Sequence, residues 1–316
     1  MTEGSTPNRP GGVLEPSGSH GWFPYSALPD RPVLRWPDSQ QPAVSVVIDL
    51  RAAEWELPEN PPIVRPPGGR GMAPYPDIPR MSHREFGHRV GVFRLMDILG
   101  SVDIRPAVVI DVLTVECYRG LLDHLVGFGS EFIAGGMSAS RPITSHMTAD
   151  EELHYIETTI DRLSLRLGIR PDGWLGVAHS ESLRTPELLA RSGIRYIADW
   201  GNDERPYSMT IRGGPDLWAF PLSWELSDLR AMHERGVSPS DYANGIVEAF
   251  DVLASDMAQS GRVLALHLHP WVSGQAFRAD ALENALKDIR DRPGAWWASP
   301  GEIVGWCRSR GLGESS

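Results

Sequence analysis

The sequence predicts an α/β chain folded as a distorted (β/α) barrel of seven to eight parallel strands. Two observations favour it. Short apolar runs alternate with amphipathic helical stretches from residue 43 onward, mostly through short connections, which implies parallel pairing with right-handed crossovers. No G-x-G-x-x-G or P-loop string follows a strand, so an open sheet that binds nucleotides loses its main support. The length of 316 residues and 41% hydrophobic content suit one barrel-sized core.

The elements follow in order. Residues 1–19 are rich in Gly, Pro and Ser and read as a mobile tail ahead of a single domain over 20–312. Residues 20–37 hold aromatics and prolines without periodicity, as an ordered arm would. "AVSVVIDL" (43–50) is a buried strand. Residues 56–82 carry too much proline and glycine for a regular element and read as a long loop, of the kind that serves as a lid or an interface. "EFGHRVGVFRLMDILG" reads as helix, "PAVVIDV" as strand, "VECYRGLLDHLVGFG" as helix and "EFIAGG" as strand. In "TADEELHYIETTIDRLSLRLG", Leu153, Ile156, Ile160, Leu163 and Leu167 make one apolar stripe. Thr148 with Glu151 gives a capping box, and Gly168 suits the C-terminal cap. "GWLGVA" is a strand, and "RTPELLARSG" is a helix with Thr185 as its cap. "IRYIAD" and "DLWAFP" are strands, and the helix from Pro239 is capped by Ser238. "RVLALHLH", a helix over 278–291, "AWWAS" and a last helix over 300–311 complete the chain.

The formal charge of −11 disfavours nucleic acid and anionic membranes as partners. Cys117 and Cys307 form no C-x-x-C pair, which fits a reducing compartment and offers no cysteine zinc site. No signal-peptide core or membrane-length apolar run is present. The expectation is a cytoplasmic protein acting on a small molecule, with homo-oligomerisation left open.

In a barrel the chemistry lies at the C-terminal strand ends. Those ends supply Asp49, Arg51 and Glu54, then Asp111, then "GGMSAS". Next come Trp174, His179 and Glu181; Asp199, Trp200, Asn202 and Asp203; Ser223, Glu225 and Asp228; and finally His267 and His269. Any one of these could be a turn former or a helix cap; together they outline a rim. His267 and His269, like Asp49 and Arg51, stand two apart and should face the same side.

Several stretches carry a family resemblance: "DRPVLRWP", "FGHRVGVFRLMDIL", "GSEFI", "GWLG", "SLRTPELLARSGIRYIADWGNDERPY", "PLSWELSD" and "LHPWVSGQ". Over about residues 20–310 the chain resembles the NodB-homology polysaccharide deacetylases (carbohydrate esterase family 4). It is most similar to the branch that contains metal-independent allantoinases and cyclic-imide hydrolases. The resemblance implies the distorted barrel, with Asp199, Trp200 and His269 matching family motif positions. It also exposes departures. Where the family places a carboxylate pair after the first strand, this chain has Asp49 and then Arg51. The H-x-x-x-H metal motif falls on Gly135 and Ala139, and the arginine of the third motif on Leu175. The usual metal chemistry is thereby disfavoured, and no metal or other cofactor is expected.

Arg51, a permanent cation able to pair bidentately with a carboxylate, is read as taking the charge role of the lost ion beside Asp49 or Glu54. Gly135 and Gly136 are read as widening the pocket. His269 and His267 are the expected acid–base groups, with Asp49, Arg51, Glu54 and Glu225 as catalytic partners. Trp174, His179, Asp199, Trp200, Asn202, Asp203 and Asp111 are expected to contact substrate. The leading expectation is metal-independent hydrolysis of a non-peptide C–N bond in a small or cyclic amide. The rivals are an isomerase, cyclase or lyase on the same scaffold, a small-molecule-binding protein without catalysis, and a metal-dependent sugar deacetylase with a relocated site.

Overall fold

The centre of the fold is β1 (Ala43–Asp49), whose seven residues are all buried. A strand covered on both faces must be apolar on both, and β1 reads AVSVVID accordingly. The computed structural model describes residues 21–55, 78–256 and 261–311. The tail at 1–19 and most of the proline-rich stretch lie outside the described residues; its last part, 78–82, belongs to the helix α1 (Ile78–Phe86).

β1 pairs in parallel with β2 (Ala107–Ile110), β8 (Val263–Leu268) and β9 (Trp296–Trp297). Beyond β2 the sheet continues through β3 (Glu131–Ala134), β4 (Gly173–Trp174), β5 (Tyr196–Ile197) and β7 (Leu217–Ala219), all parallel. An added β6 (Tyr207–Met209) runs antiparallel to β7 at the far edge. The order β6-β7-β5-β4-β3-β2-β1-β8 leaves the two ends of the sheet unpaired with each other among the described residues. The sheet is therefore a curled, mostly parallel barrel with an open seam. β6 has no apolar run to signal it, and the sequence reading places no strand there.

Alternation along the strands sorts the core. Val44, Val46 and Ile48 join the helix-facing cluster, whereas Ala43 and Val47 join an inner cluster with Val109, Ile133, Leu175, Ala198 and Ala265. The inner parity continues past the strand ends to Asp49 and Arg51, Asp111, Gly135, and His267 with His269. Register places Val47 opposite His267, so these groups meet at one level.

Helix ends follow the expected chemistry. Over α5 (Ala149–Leu167), Thr148 and Glu151 form the capping box and Gly168 adopts φ 71°. Ser238 caps α7 (Pro239–Ser255), and Ser299 with Glu302 caps the last helix (Pro300–Ser309). Two expectations change. Thr185 does not cap α6 (Thr185–Arg191) but lies within it, its hydroxyl accepting from the Ser182 N–H. The helix expected over 115–129 is two, α3 (Val112–Cys117) and α4 (Arg119–Phe128), with Tyr118 between them. After α1 a π-helical turn over Gly87–Gly91 leads into α2 (Val92–Ser101). Side chains at Gly87 and Gly91 would meet the backbone of Trp271 and Pro270, so glycine there lets this helix seat against the segment after β8.

Candidate active site

Arg51 is almost fully buried, its side chain 7% exposed. Its Nε donates to Asp49 Oδ1 at 2.9 Å and its Nη2 donates to Asp49 Oδ2, a two-pronged pair. Nη1 donates to the carbonyls of Gly176 (2.9 Å) and Leu175 (3.3 Å). A guanidinium has five N–H donors; these four bonds leave one. Asp111 and Asp199 also face Arg51 electrostatically. Burial alone would raise the Asp49 pKa, but Arg51, with His267 and His269, outweighs it and holds the carboxyl well below its ordinary range.

Gly135 explains how this arginine fits. A Cβ at Gly135 would lie 2.8 Å from Arg51 Cδ and 2.9 Å from Val109 Cγ1. The volume freed at Gly135 is thus occupied by the arginine stem. Gly136 has φ 90°, and a side chain there would strike the Tyr155 hydroxyl, which donates to the Arg141 carbonyl and accepts from the Met137 N–H. Neither glycine widens the pocket, contrary to the sequence reading; one accommodates Arg51 and the other accommodates Tyr155.

Two imidazoles close the other side. The His267 and His269 ring centroids are 4.6 Å apart. Their Nε2 atoms lie 3.4 and 3.7 Å from Asp49 Oδ2. Burial, with neighbouring His269, lowers the His267 pKa, so that ring is neutral near pH 7. His269 Nδ1 lies 2.7 Å from Asp228 Oδ1. Asp228 is fully buried and its Oδ2 accepts from the His269 N–H (2.8 Å) and the Ser273 hydroxyl (2.6 Å). With Nδ1–H donating to Asp228, Nε2 of His269 carries the free lone pair and faces the site.

Asp228 and Ser273 are contributors that the sequence reading did not single out. Ser223, Glu225 and Asp228 all follow β7, and the sequence favours Glu225 among them. The structure pairs Glu225, 76% exposed, with Arg235, and gives the buried place to Asp228. No local spacing signals this, since Asp228 stands 41 residues before His269. Glu54 likewise pairs with Arg141 (2.8 Å) rather than with Arg51.

The expected substrate contacts separate into groups. Asp111 caps α3 by accepting from the Thr114 N–H (2.8 Å). Its Oδ2 is buried without a partner, and burial pushes its pKa up to about 7. Trp174 is fully buried in the core. Asn202 accepts from the Tyr207 hydroxyl, and Asp203 accepts from Arg31 and from the N–H groups of Glu204 and Arg205, which ties the 21–36 arm to the rim. Asp199 Oδ1 accepts from the Gly176 N–H (2.8 Å), and Trp200 Nε1 donates to Glu181 (3.0 Å). His179 lies 6.0 Å from His267 and 5.1 Å from Trp224 between ring centroids. Burial and the nearby His267 and Arg51 push its pKa down to about 3.

Asp49, His267 and His269 are the described residues whose ligand atoms cluster closely enough, within 4.8 Å, to hold a metal ion. A dication there would compete with Arg51 for the Asp49 oxygens, and would sit beside a fixed positive charge at a place where Gly135 offers no further side-chain ligand. The Arg51 guanidinium and an ion would thus compete for the same carboxylate.

Fold and site together define a NodB-type (β/α) barrel with imidazole, carboxylate and guanidinium groups at its strand ends. Solved structures bear out that fold. A structure assigned as a polysaccharide deacetylase from Mycobacterium smegmatis is 22% identical with a TM-score of 0.75, over 90% of this chain and 96% of its own. The Puue allantoinase is 18% identical with a TM-score of 0.76, over 96% and 98%. A structure assigned as a polysaccharide deacetylase from Pseudomonas aeruginosa is 21% identical with a TM-score of 0.75, over 88% and 95%. No protein-family model and no curated protein sequence matches the chain. No helix among the described residues is long and apolar enough to cross a membrane.

Proposed function

We propose that the protein is a metal-independent hydrolase of a non-peptide C–N bond, acting on a small or cyclic amide. One observation carries the reading: Arg51 sits in the space left by Gly135 and neutralises Asp49 beside a histidine–aspartate pair. The similarity of fold to deacetylases and an allantoinase supports amide chemistry.

In this reading His269 is the general base. Its Nε2 takes a proton from the attacking water, and Asp228 stabilises the imidazolium that forms. Asp49 adds a second negative charge 3.7 Å from that nitrogen. Arg51 keeps Asp49 ionised in a buried setting, and its one remaining N–H, with neutral His267, is the available donor toward a developing oxyanion. Arg51 therefore acts mainly on Asp49 and the 175–176 backbone, with little capacity left to clamp a substrate carboxylate.

The Asp49–His267–His269 cluster supports a second reading, a metal-dependent hydrolase in which Arg51 moves aside. Elemental analysis of the purified protein, with turnover assays on hydantoin- and imide-type amides before and after chelation, separates the two. We expect substoichiometric metal and chelator-insensitive turnover. Stoichiometric zinc or another transition metal overturns the metal-independent reading, and failure to turn over any amide overturns the hydrolase.

A further inference from the structure

The mechanism above leaves a second buried acidic centre unused. Glu181 follows β4 and Asp199 follows β5. One oxygen of each has a donor: Trp200 Nε1 at 3.0 Å for Glu181 Oε1, and the Gly176 N–H at 2.8 Å for Asp199 Oδ1. The other oxygens, Glu181 Oε2 and Asp199 Oδ2, are buried with no donor, and the two carboxyls interact directly. Two ionised carboxylates sharing such a place repel each other, and one proton held by the pair lets one carboxyl donate to the other. A third buried atom without a partner, His179 Nδ1, lies 3.9 Å from Asp199 Oδ1.

The local backbone is built for this convergence. Ala178 and His179 both adopt left-handed φ, 54° and 55°, a conformation that disfavours residues with a side chain. A Cβ at Gly176 would lie 2.6 Å from the Ser180 carbonyl oxygen and 3.1 Å from Asp199 Oδ1. The turn thus swings His179 between the carboxyl pair and His267, with Trp224, 40% exposed, beside it. The charged groups facing the pair are Arg51, on the Asp199 side, and Glu152, on the Glu181 side. Arg51 favours ionisation and Glu152 opposes it, while burial of both carboxyls pushes their pKa values up.

We propose that Glu181 and Asp199 hold one proton between them at neutral pH and, through His179, form the proton-donating arm of the site, opposite the His269–Asp228 base. The donor half of this inference rests on the C–N hydrolysis reading. As the C–N bond breaks, its electron pair goes to nitrogen, which takes the Nε2 proton of His179. In the same step Nδ1 takes the proton of the carboxyl pair, across the 3.9 Å gap to Asp199 as it closes to hydrogen-bond length, so the ring stays neutral throughout. The water proton held by His269 restores the balance on product release. His179 is the catalytic residue here; Glu181 and Asp199 position and supply it.

Infrared titration of the full chain tests the shared proton without any substrate. A protonated-carboxyl band is expected at pH 7, fading at alkaline pH, with a component lost in both Glu181→Gln and Asp199→Asn and kept in Asp111→Asn. Absence of that band in the wild type, or persistence of the full band in the first two variants, overturns the shared proton; where one variant fails to fold, the Asp111→Asn spectrum, which must keep a band at pH 7, still decides it. With an amide substrate, Glu181→Gln is expected to lower kcat by about 10²-fold at little change in KM and to move the alkaline limb of the pH profile. An unchanged profile overturns the donor role. Should no amide be turned over, the hydrolase reading fails while the infrared result still settles the pair.

Discussion

Replacing Arg51 by methionine isolates the charge at the centre of this site. Methionine keeps much of the stem that lies over Gly135 but removes the guanidinium, leaving Asp49, 6% exposed, with no permanent cation against it. Breaking one partner out of a buried ion pair costs about 3–5 kcal/mol. At roughly 1.5 °C per kcal/mol for a chain of this size, the melting temperature should fall by about 5–8 °C at pH 7. The pH dependence carries the distinctive signature. In the wild type the Asp49 pKa is depressed, so its stabilising contribution is present above the ordinary carboxylate value and is lost as pH falls through the folded pKa. In the variant burial is opposed only by the imidazoles of His267 and His269, so the Asp49 pKa should rise and its ionisation should destabilise as pH increases. The gap between wild type and variant should therefore widen from pH 4 to pH 7. Urea denaturation at both values measures it. A gap below about 1 kcal/mol, or one that does not change with pH, would refute the claim that Arg51 compensates a buried charge.

The remaining expectations are briefer. Asp228→Asn keeps the shape of the His269 support but cannot stabilise an imidazolium, and kcat on any amide substrate should drop about 10²-fold or more; full activity would remove His269 from the base role. Gly135→Ala places a methyl 2.8–2.9 Å from Arg51 and Val109, and overpacking of this kind costs about 1–3 kcal/mol, readable as a lower urea midpoint. Glu225→Ala touches only the exposed pair with Arg235, so stability should stay within about 0.5 kcal/mol and turnover should be unchanged; a large loss of kcat would return Glu225 to the mechanism.

Much was legible in the chain itself. Strand periodicity placed β1, β2, β3, β7 and β8, because fully buried parallel strands must be apolar throughout. The helix caps at Thr148, Gly168 and Ser238 are local hydrogen-bond chemistry and need no tertiary information. The two-residue spacings of Asp49 with Arg51 and of His267 with His269 correctly gave shared faces, since strand alternation is a property of the backbone. What lay beyond reach were choices between equivalent groups. That Asp228 rather than Glu225 turns inward, that Glu54 goes to Arg141, and that the room at Gly135 is filled by an arginine 84 positions earlier all depend on how distant strand ends converge. The sequence alone determined which chemical groups the rim could draw on; only the curl of the sheet decided which of them share a buried volume, because contact between residues far apart in the chain is set by packing and not by local conformational preference.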